Sequence, residues 1–504
     1  MKPGAQRPDT PASAERPDAP ARDDRVDTPL SEERLDKPTG DERLDTRACG
    51  ALAALLLGLI AITLPELGSD PWRFRPPTVD PQGPLAPLVR AAGEEWDLGI
   101  PRAGAFCAAL LVAAASLPLF RGRAWSRRTA VLLVLAVGVL LAAPATLLQL
   151  GLRDSTAPWF HTNDSVYQID LAGDLVLDGD NPYGHDYKRS GLERFYTRDG
   201  SASERVRERE VALEHFAYFP GSVITAVPWR LLPEPFDDYR LLVLLSTLAM
   251  LAAALAFRAP LGWRLALGAL LVCNPIAVRS AWFGQNDAPS LLLLVLAFAL
   301  VTRRRFGWAA ASLAGAILLK QFALVAAPFL AITMIHLDAG RVQLKRAALA
   351  FGGVLAAGIL PFFLAGPVAF YEDTVKYGAG TYRIVGYGLS AILVRVGIVD
   401  DRNGAYPFAL LALLTWVPLT AWLLLAQRRS RELWLGAAGF SVSILWLMFI
   451  GRTFNNYYLV WPMTGAVCAW LIACSSPLPS PSSPSSPSPS VASAARTQTG
   501  ARAP

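Results

Sequence analysis

Twelve apolar runs, rich in Ala, Leu and Val, punctuate the chain near residues 48–66, 103–120, 129–152, 240–257, 262–278, 288–302, 306–319, 321–336, 346–366, 406–427, 432–450 and 457–473. Charged residues are nearly absent inside them and gather in the segments between. A run of this length without charges satisfies its backbone polar groups as a helix, the form a single segment takes in a bilayer. The pattern predicts an all-α polytopic membrane protein with about twelve transmembrane helices.

Arginine fixes the threading. With the N-terminus inside, Arg121, Arg123, Arg127 and Arg128 fall on the cytoplasmic side, followed by Arg258 with Arg264 and by Arg303 to Arg305. Arg341, Lys345 and Arg346 follow on the same side, then Arg428, Arg429 and Arg431, so five successive inner loops carry the basic excess expected of cytoplasmic connections. One further apolar stretch, Phe216 to Leu232, contains Pro220, Gly221 and Pro228 and breaks this order if it crosses. It is therefore laid in the outer interface, as a re-entrant or amphipathic segment. The consequence is one large outer loop, about 153–239, and a second at about 367–405.

Composition agrees: of 504 residues, 53% are hydrophobic and 17% charged, with a mean hydropathy of +0.34, which is outside the range of soluble domains. The net charge of +6 is distributed as one basic cluster per connection rather than as a stripe, so it marks topology and not nucleic acid. The five cysteines, Cys49, Cys107, Cys273, Cys468 and Cys474, lie in or beside apolar runs, which argues against a disulfide framework. Residues 1–47 read as a disordered cytoplasmic tail without a cleavable leader, residues 48–474 as the membrane domain, and the Ser/Pro-rich residues 475–504 as a second disordered cytoplasmic tail.

The first outer loop places Asp164, Asp170, Asp174, Asp178 and Asp180 within a short distance of the end of a span. Val166 to Leu177 reads as a helix on the membrane surface, ended by the turn at Gly179–Asp180–Asn181–Pro182. Asp164 then stands before its first turn, free to cap it or to project into a cavity. His161, His185 and His215 share the loop, but their spacing matches no metal motif, and no cofactor is expected.

Further along, Asn274, Arg279, Gln285, Asn286 and Asp287 occupy the outer ends of two spans. Asn286 or Asp287, ahead of Ala288–Pro289, suits a helix N-cap; Gln285 is not needed for one. Lys320 interrupts an apolar stretch at an outer turn, where an ammonium must reach water or an anion. Lys376, Tyr377, Tyr382 and Arg383 in the second outer loop, and Arg452, Asn455 and Asn456 in the last outer turn, complete a cationic, amide-rich rim facing the carboxylates.

At these positions the chain resembles the polyprenyl-phosphate-mannose-dependent mannosyltransferases of glycosyltransferase family 87, in the GT-C superfamily. The resemblance rests on Asp164 with Tyr167, Gly179-Asp180-Asn181-Pro182-Tyr183, Tyr218-Phe219-Pro220, Gly284-Gln285-Asn286-Asp287, and Gly315 followed by Lys320, over about residues 129–470. It implies a GT-C fold in the plasma membrane, an extracytoplasmic active site, a lipid-linked sugar donor, and Asp164 as the catalytic carboxylate. Lys320, Arg279 and Arg452 are then the candidates for the donor phosphate, and Tyr167, Asn181, Tyr183, Gln285, Asn286 and Asp287 for substrate contacts. The chain departs from the simpler family pattern by two extra N-terminal spans and a charged insert from Lys188 to Glu210, which leaves the acceptor open among glycolipid, polysaccharide and protein. Asp170 stands as a substitute for Asp164. The rivals are a secondary transporter or flippase, which usually buries ionisable groups near the bilayer midplane, and a non-catalytic scaffold.

Overall fold

The computed structural model describes residues 46–68, 80–92, 99–155, 163–196, 213–377 and 384–475. The tail residues 1–45 and 476–504, His161, Tyr382, Arg383 and residues 197–210 of the charged insert lie outside them, and with them the expectations made there.

Each apolar run of the sequence falls on a helix. The first part of the chain forms α1 (Thr46–Gly68), the short α2 (Ala86–Ala91), α3 (Gly99–Phe120), α4 (Arg127–Ser155), α5 (Asp164–Leu177) and α6 (Pro220–Arg230). The middle forms α7 (Arg240–Leu255), α8 (Leu261–Cys273), α9 (Pro275–Trp282), α10 (Ala288–Thr302), α11 (Phe306–Leu319), α12 (Ala327–His336) and α13 (Arg341–Ala365). After two short helices, α14 (Pro367–Tyr371) and α15 (Leu389–Arg395), come α16 (Phe408–Ser430), α17 (Trp434–Phe449) and α18 (Val460–Ala473).

Length separates these helices into two groups. Among the described residues five (α1, α3, α4, α13 and α16) are long and apolar enough to cross a membrane, and the α8–α9 pair, bent by 44° at Asn274, brings the number to six if it counts as one span. This is fewer than the dozen crossings expected from apolar runs alone. The physical reason is that helices such as α10 and α11, with 15 and 14 residues, rise only about 22 Å against a hydrocarbon core of about 30 Å. Those short helices are also the buried ones: α11 packs on both α10 and α13, and its Ala309, Leu313, Ala316 and Ile317 are almost wholly enclosed. The long helix α16 by contrast contributes nothing buried to its most apolar window. The stretch Phe216 to Leu232 forms the 11-residue α6, too short to cross, packed on α5, α11 and α13.

Two of the basic turns, at 255–264 and 303–305, meet at one end of the bundle. Arg303 Nε donates to the carbonyl of Ala256, Arg264 Nη1 to that of Leu255 at 2.9 Å, and Trp263 packs on Trp470 at 5.6 Å. Acidic and amide residues sit at the opposite end, where α5 is built. Asn163 caps α5, its side chain accepting from the Ser165 amide at 2.9 Å, and Gly179, at φ +88°, turns the chain out of it.

Beneath α5 lies a buried network of acids and arginines. Arg153 pairs with Asp237 and with Asp238, the latter at 3.1 Å. Arg230 bridges Asp174 at 2.7 Å and Asp237 at 2.8 Å, while Arg240 holds Asp238 at 2.6 Å and Gln149 at 2.7 Å. Asp170 adds a fourth carboxylate, accepting from the Tyr239 amide at 3.2 Å. Burial, with the charge of Asp238 adding to it, pushes the Asp170 carboxyl well above the usual range. Burial also acts on Asp238, but the charges of Arg240 and Arg153 and the hydrogen bonds from Arg240 together outweigh it and the net shift is downward. Of the four acids facing three arginines, Asp174, Asp237 and Asp238 are thus ion-paired, while burial favours the protonated form of Asp170.

At the same end, Val385–Gly386 (β1) pairs in parallel with Thr453–Phe454 (β2). Gly386 has φ +93°, and a Cβ there would lie 2.0 Å from the Phe454 carbonyl oxygen, so the close approach of the two strands requires glycine.

The two buried acids give opposite expectations. Asp170→Asn leaves thermal stability near neutral pH within about 1 kcal/mol, whereas Asp238→Asn, which takes the carboxylate from Arg240 and leaves Arg153 with Asp237 alone, lowers it by about 3–5 kcal/mol. With its carboxyl raised, Asp170 contributes fully at acid pH and loses that contribution as the pH climbs beyond the ordinary carboxylate range. Asp238, lowered, contributes above that range and loses it as the pH falls through its own value. Thermal unfolding of the detergent-solubilised variants across pH 4–8 checks both signs.

Candidate functional site

A cavity of about 490 Å³ opens at the acidic end of the bundle. Its wall includes the start of α5 with Asp164 and Gln168, residues 217–219, the turn ahead of α10 with Gln285 to Asp287, the break after α11 with Lys320 to Phe322, and the last turn with Arg452, Tyr457 and Tyr458. Thr374 and Tyr377 of the second outer segment close it from the side.

Asp164 is the first residue of α5, and its Oδ1 accepts from the Ser165 amide at 2.8 Å. Because Asn163 fills the N-cap position, capping does not explain the Asp164 carboxylate, which stands at the cavity wall. Tyr218 lies close to it. Burial pushes the Tyr218 hydroxyl well above its ordinary pKa, the charge of Asp164 adds to the rise, and the Ser165 hydrogen bond opposes it. Tyr218 therefore keeps its proton throughout the physiological range.

Lys320 ends α11 in an extended conformation, so its side chain leaves the helix sideways. It does not snorkel to an interface. The ammonium is 2.8 Å from Asp287 Oδ1 and donates to Asn286 Oδ1 at 2.7 Å, with the Phe322 ring 5.8 Å away. Asp287 Oδ1 also accepts from Trp461 Nε1 at 2.8 Å. Although Asp287 stands at the N-cap of α10, its side chain makes no capping bond. The turn that delivers these residues needs Gly284, at φ +63°, where a Cβ would meet Arg240 Cγ at 2.5 Å.

The other expected site residues divide. Arg452 lines the cavity, both its Nη groups 3.3 Å from the Gly404 carbonyl oxygen. Arg279 does not line it and lies over the Phe283 ring at 5.6 Å. Tyr167 turns away, donating to the Ser190 carbonyl at 2.6 Å. Asn181 accepts from the Tyr183 amide at 3.2 Å in a side-chain-closed turn, and the Tyr183 hydroxyl donates to the Tyr218 carbonyl at 2.8 Å while its ring packs on Phe216, Phe362 and Phe370. These three hold the loop rather than face the cavity. Asp170 belongs to the arginine network and cannot stand in for Asp164 from there.

Several cavity residues escaped the sequence reading. Gln168 donates to the His215 carbonyl at 2.8 Å, and Gln321 to the Ala217 carbonyl at 3.2 Å. Asp373, buried and not itself lining the cavity, accepts from Gly184 N at 2.9 Å through Oδ2 and pairs its Oδ1 with His215 Nδ1 at 2.7 Å; the His215 ring stacks on Tyr377, which does line it. Helical spacing from Asp164 to Gln168 carries a signal for the first of these. Asp373 is reached only through a contact between segments 158 residues apart. Among the described residues no group of three or more His, Cys, Asp or Glu stands together at metal-binding distance.

Lys320→Met is expected to lower stability by about 3–5 kcal/mol, because it leaves the Asp287 carboxylate buried without its cation. Adding Asp287→Asn restores most of the loss, read as recovery of the thermal midpoint in detergent.

Comparison with protein families finds that residues 216–453 match the model of glycosyltransferase family 87. No curated protein matches the chain, and no solved structure does. The matched segment covers slightly under half of the chain and includes Tyr218, Gln285 to Asp287, Lys320 and Arg452, while Asp164 lies ahead of it. Together, the family match and the apolar helices support a membrane-embedded glycosyltransferase.

Proposed function

We propose that the protein transfers a hexosyl group, mannosyl by its family resemblance, from a polyprenyl-phosphate sugar to an acceptor hydroxyl on the extracytoplasmic side of the plasma membrane, within a GT-C-type fold of about twelve spans. The observation that carries this reading is the meeting of Asp164, Gln285 to Asp287, Lys320 and Arg452 on one cavity. The threading of the basic turns to the opposite end of the bundle supports the extracytoplasmic assignment. The shorter helices span on this reading as parts of a packed bundle whose lipid boundary is set by the longer ones.

Asp164 is the base. It accepts the proton of the acceptor hydroxyl as that oxygen forms its bond to the anomeric carbon, a role worth about 10²–10⁴-fold in rate. The bond from the anomeric carbon to the donor phosphate breaks, and the polyprenyl phosphate leaves with the electron pair. Negative charge grows on that phosphate, so a cation aimed at it stabilises the transition state. Arg452 is best suited, since it lines the cavity and its guanidinium can present a fork of N–H donors to phosphate. Lys320 faces the same cavity with its charge already balanced by Asp287.

A carrier has less to support it. Charged side chains of the described helices collect at the two ends of the bundle, whereas secondary transporters set theirs near the midplane.

The test is sugar transfer in membranes supplied with polyprenyl-phosphate mannose. Asp164→Asn abolishes transfer while the purified variant keeps its thermal midpoint, and Arg452→Lys lowers kcat by about tenfold or more. Full activity of Asp164→Asn sinks the assignment of the base.

A further inference from the structure

Gln285 and Asn286 carry buried polar atoms that the protein itself leaves without partners. Gln285 Oε1 and Asn286 Nδ2 are buried and have no hydrogen-bond partner among the described residues. Asn286 is only 3% exposed, and both residues border the cavity. A buried amide group left unmatched is costly, so each such group calls for a partner from outside the protein chain.

Asn286 is held by Lys320. The ammonium donates to Asn286 Oδ1 at 2.7 Å and has no lone pair to offer, so the amide is fixed with its oxygen toward Lys320 and its NH₂ group turned elsewhere. Phe322 beside the ammonium and the Asp287 carboxylate keep Lys320 in place. The outcome is a fixed donor, Asn286 Nδ2, next in sequence to a waiting acceptor, Gln285 Oε1.

Asp287 has a different explanation. Its Oδ2 is also unpartnered, but Asp287 borders a second void of about 20 Å³ together with Ser280, whose hydroxyl is unpartnered as well. That volume admits one water able to bridge the two groups. Gln285 and Asn286 do not border this void.

One donor and one acceptor are the complement of a single hydroxyl group, which accepts from the first and donates to the second. Resting on the transferase reading above, we infer that Gln285 and Asn286 form a subsite that reads one hydroxyl of the donor sugar, and that Lys320 is a positioning residue which orients the Asn286 amide rather than a ligand of the donor phosphate. A site built to bond a hydroxyl rejects the analogue lacking it far more strongly than an apolar pocket rejects a size change, because its own buried groups are left unpaired.

The experiment measures kcat/KM with polyprenyl-phosphate mannose and its 2-, 3-, 4- and 6-deoxy analogues. The wild-type protein discriminates against one deoxy position by roughly 10²-fold or more. Asn286→Asp, which keeps an oxygen for Lys320 but removes the donor, and Gln285→Leu each collapse discrimination at that position to within several-fold and leave the ratios at the other positions unchanged. Lys320→Met, stabilised by Asp287→Asn, shows the same selective collapse. Equal loss on all five donors in these variants indicates a merely structural role and overturns the inference, as does discrimination that survives them. If wild type turns over none of the five, the transferase reading fails and takes the subsite with it; turnover with unchanged ratios sinks the subsite alone.

Discussion

The ammonium of Lys320 against the carboxylate of Asp287 is the constraint around which the cavity is organised. Both groups are nearly devoid of solvent contact, and in so apolar a bundle neither is tolerable alone. Their pairing brings the break after α11 to the start of α10, and the indole N–H of Trp461 brings α18 to the same carboxylate. Three segments distant in the chain are thus tied by one oxygen atom. Lys320 could not make this contact from inside a regular helix; its extended backbone, which ends α11, aims the side chain across at α10. The helix break, the buried charge and the cavity wall are one event seen at three levels.

A second set of charges does comparable work for α5. Asp174 and Asp170 project from α5 into the arginines that also hold the Asp237–Asp238 turn, so the helix is clamped at its middle and end while its first residue, Asp164, remains at the cavity. A clamp remote from the reacting centre supplies position while its carboxylates are matched by the arginines of the network itself. Orientation of this kind is a large part of what an enzyme contributes to a reaction between bound groups.

Much of this was legible in the chain. The apolar runs located the helices, and the prolines of Phe216 to Leu232, with the arginine order, removed that stretch from the crossings, as its 11-residue helix agrees. Asp164, Gln285 to Asp287, Lys320 and Arg452 were singled out and do share one cavity. Illegible were the partners. Nothing near Lys320 in sequence announces Asp287, 33 residues earlier, and nothing near Asp170 announces the arginines that make it structural. Tyr167, Asn181 and Tyr183 share motifs with site residues yet serve the loop, because a motif records which residues travel together and not which way each one faces. Span number was less legible: apolar composition reports enclosure in any low-dielectric surrounding, and among the described residues five or six helices are long enough by themselves to cross.

The shortness of α10 and α11 bears on the medium in which the cavity works. A helix of about 22 Å that starts level with the basic turns stops some 8 Å short of the far side of a 30 Å hydrocarbon layer. In the proposed enzyme the floor of the cavity is therefore sunk below the headgroups, in a recess that mobile ions barely enter. Charge arising on a phosphate there is felt by Arg452 across low-dielectric surroundings rather than through salt water, where attraction fades over about 8–10 Å. Such an enzyme is indifferent to the ionic strength outside the cell at its chemical step, while the approach of a charged acceptor remains open to screening.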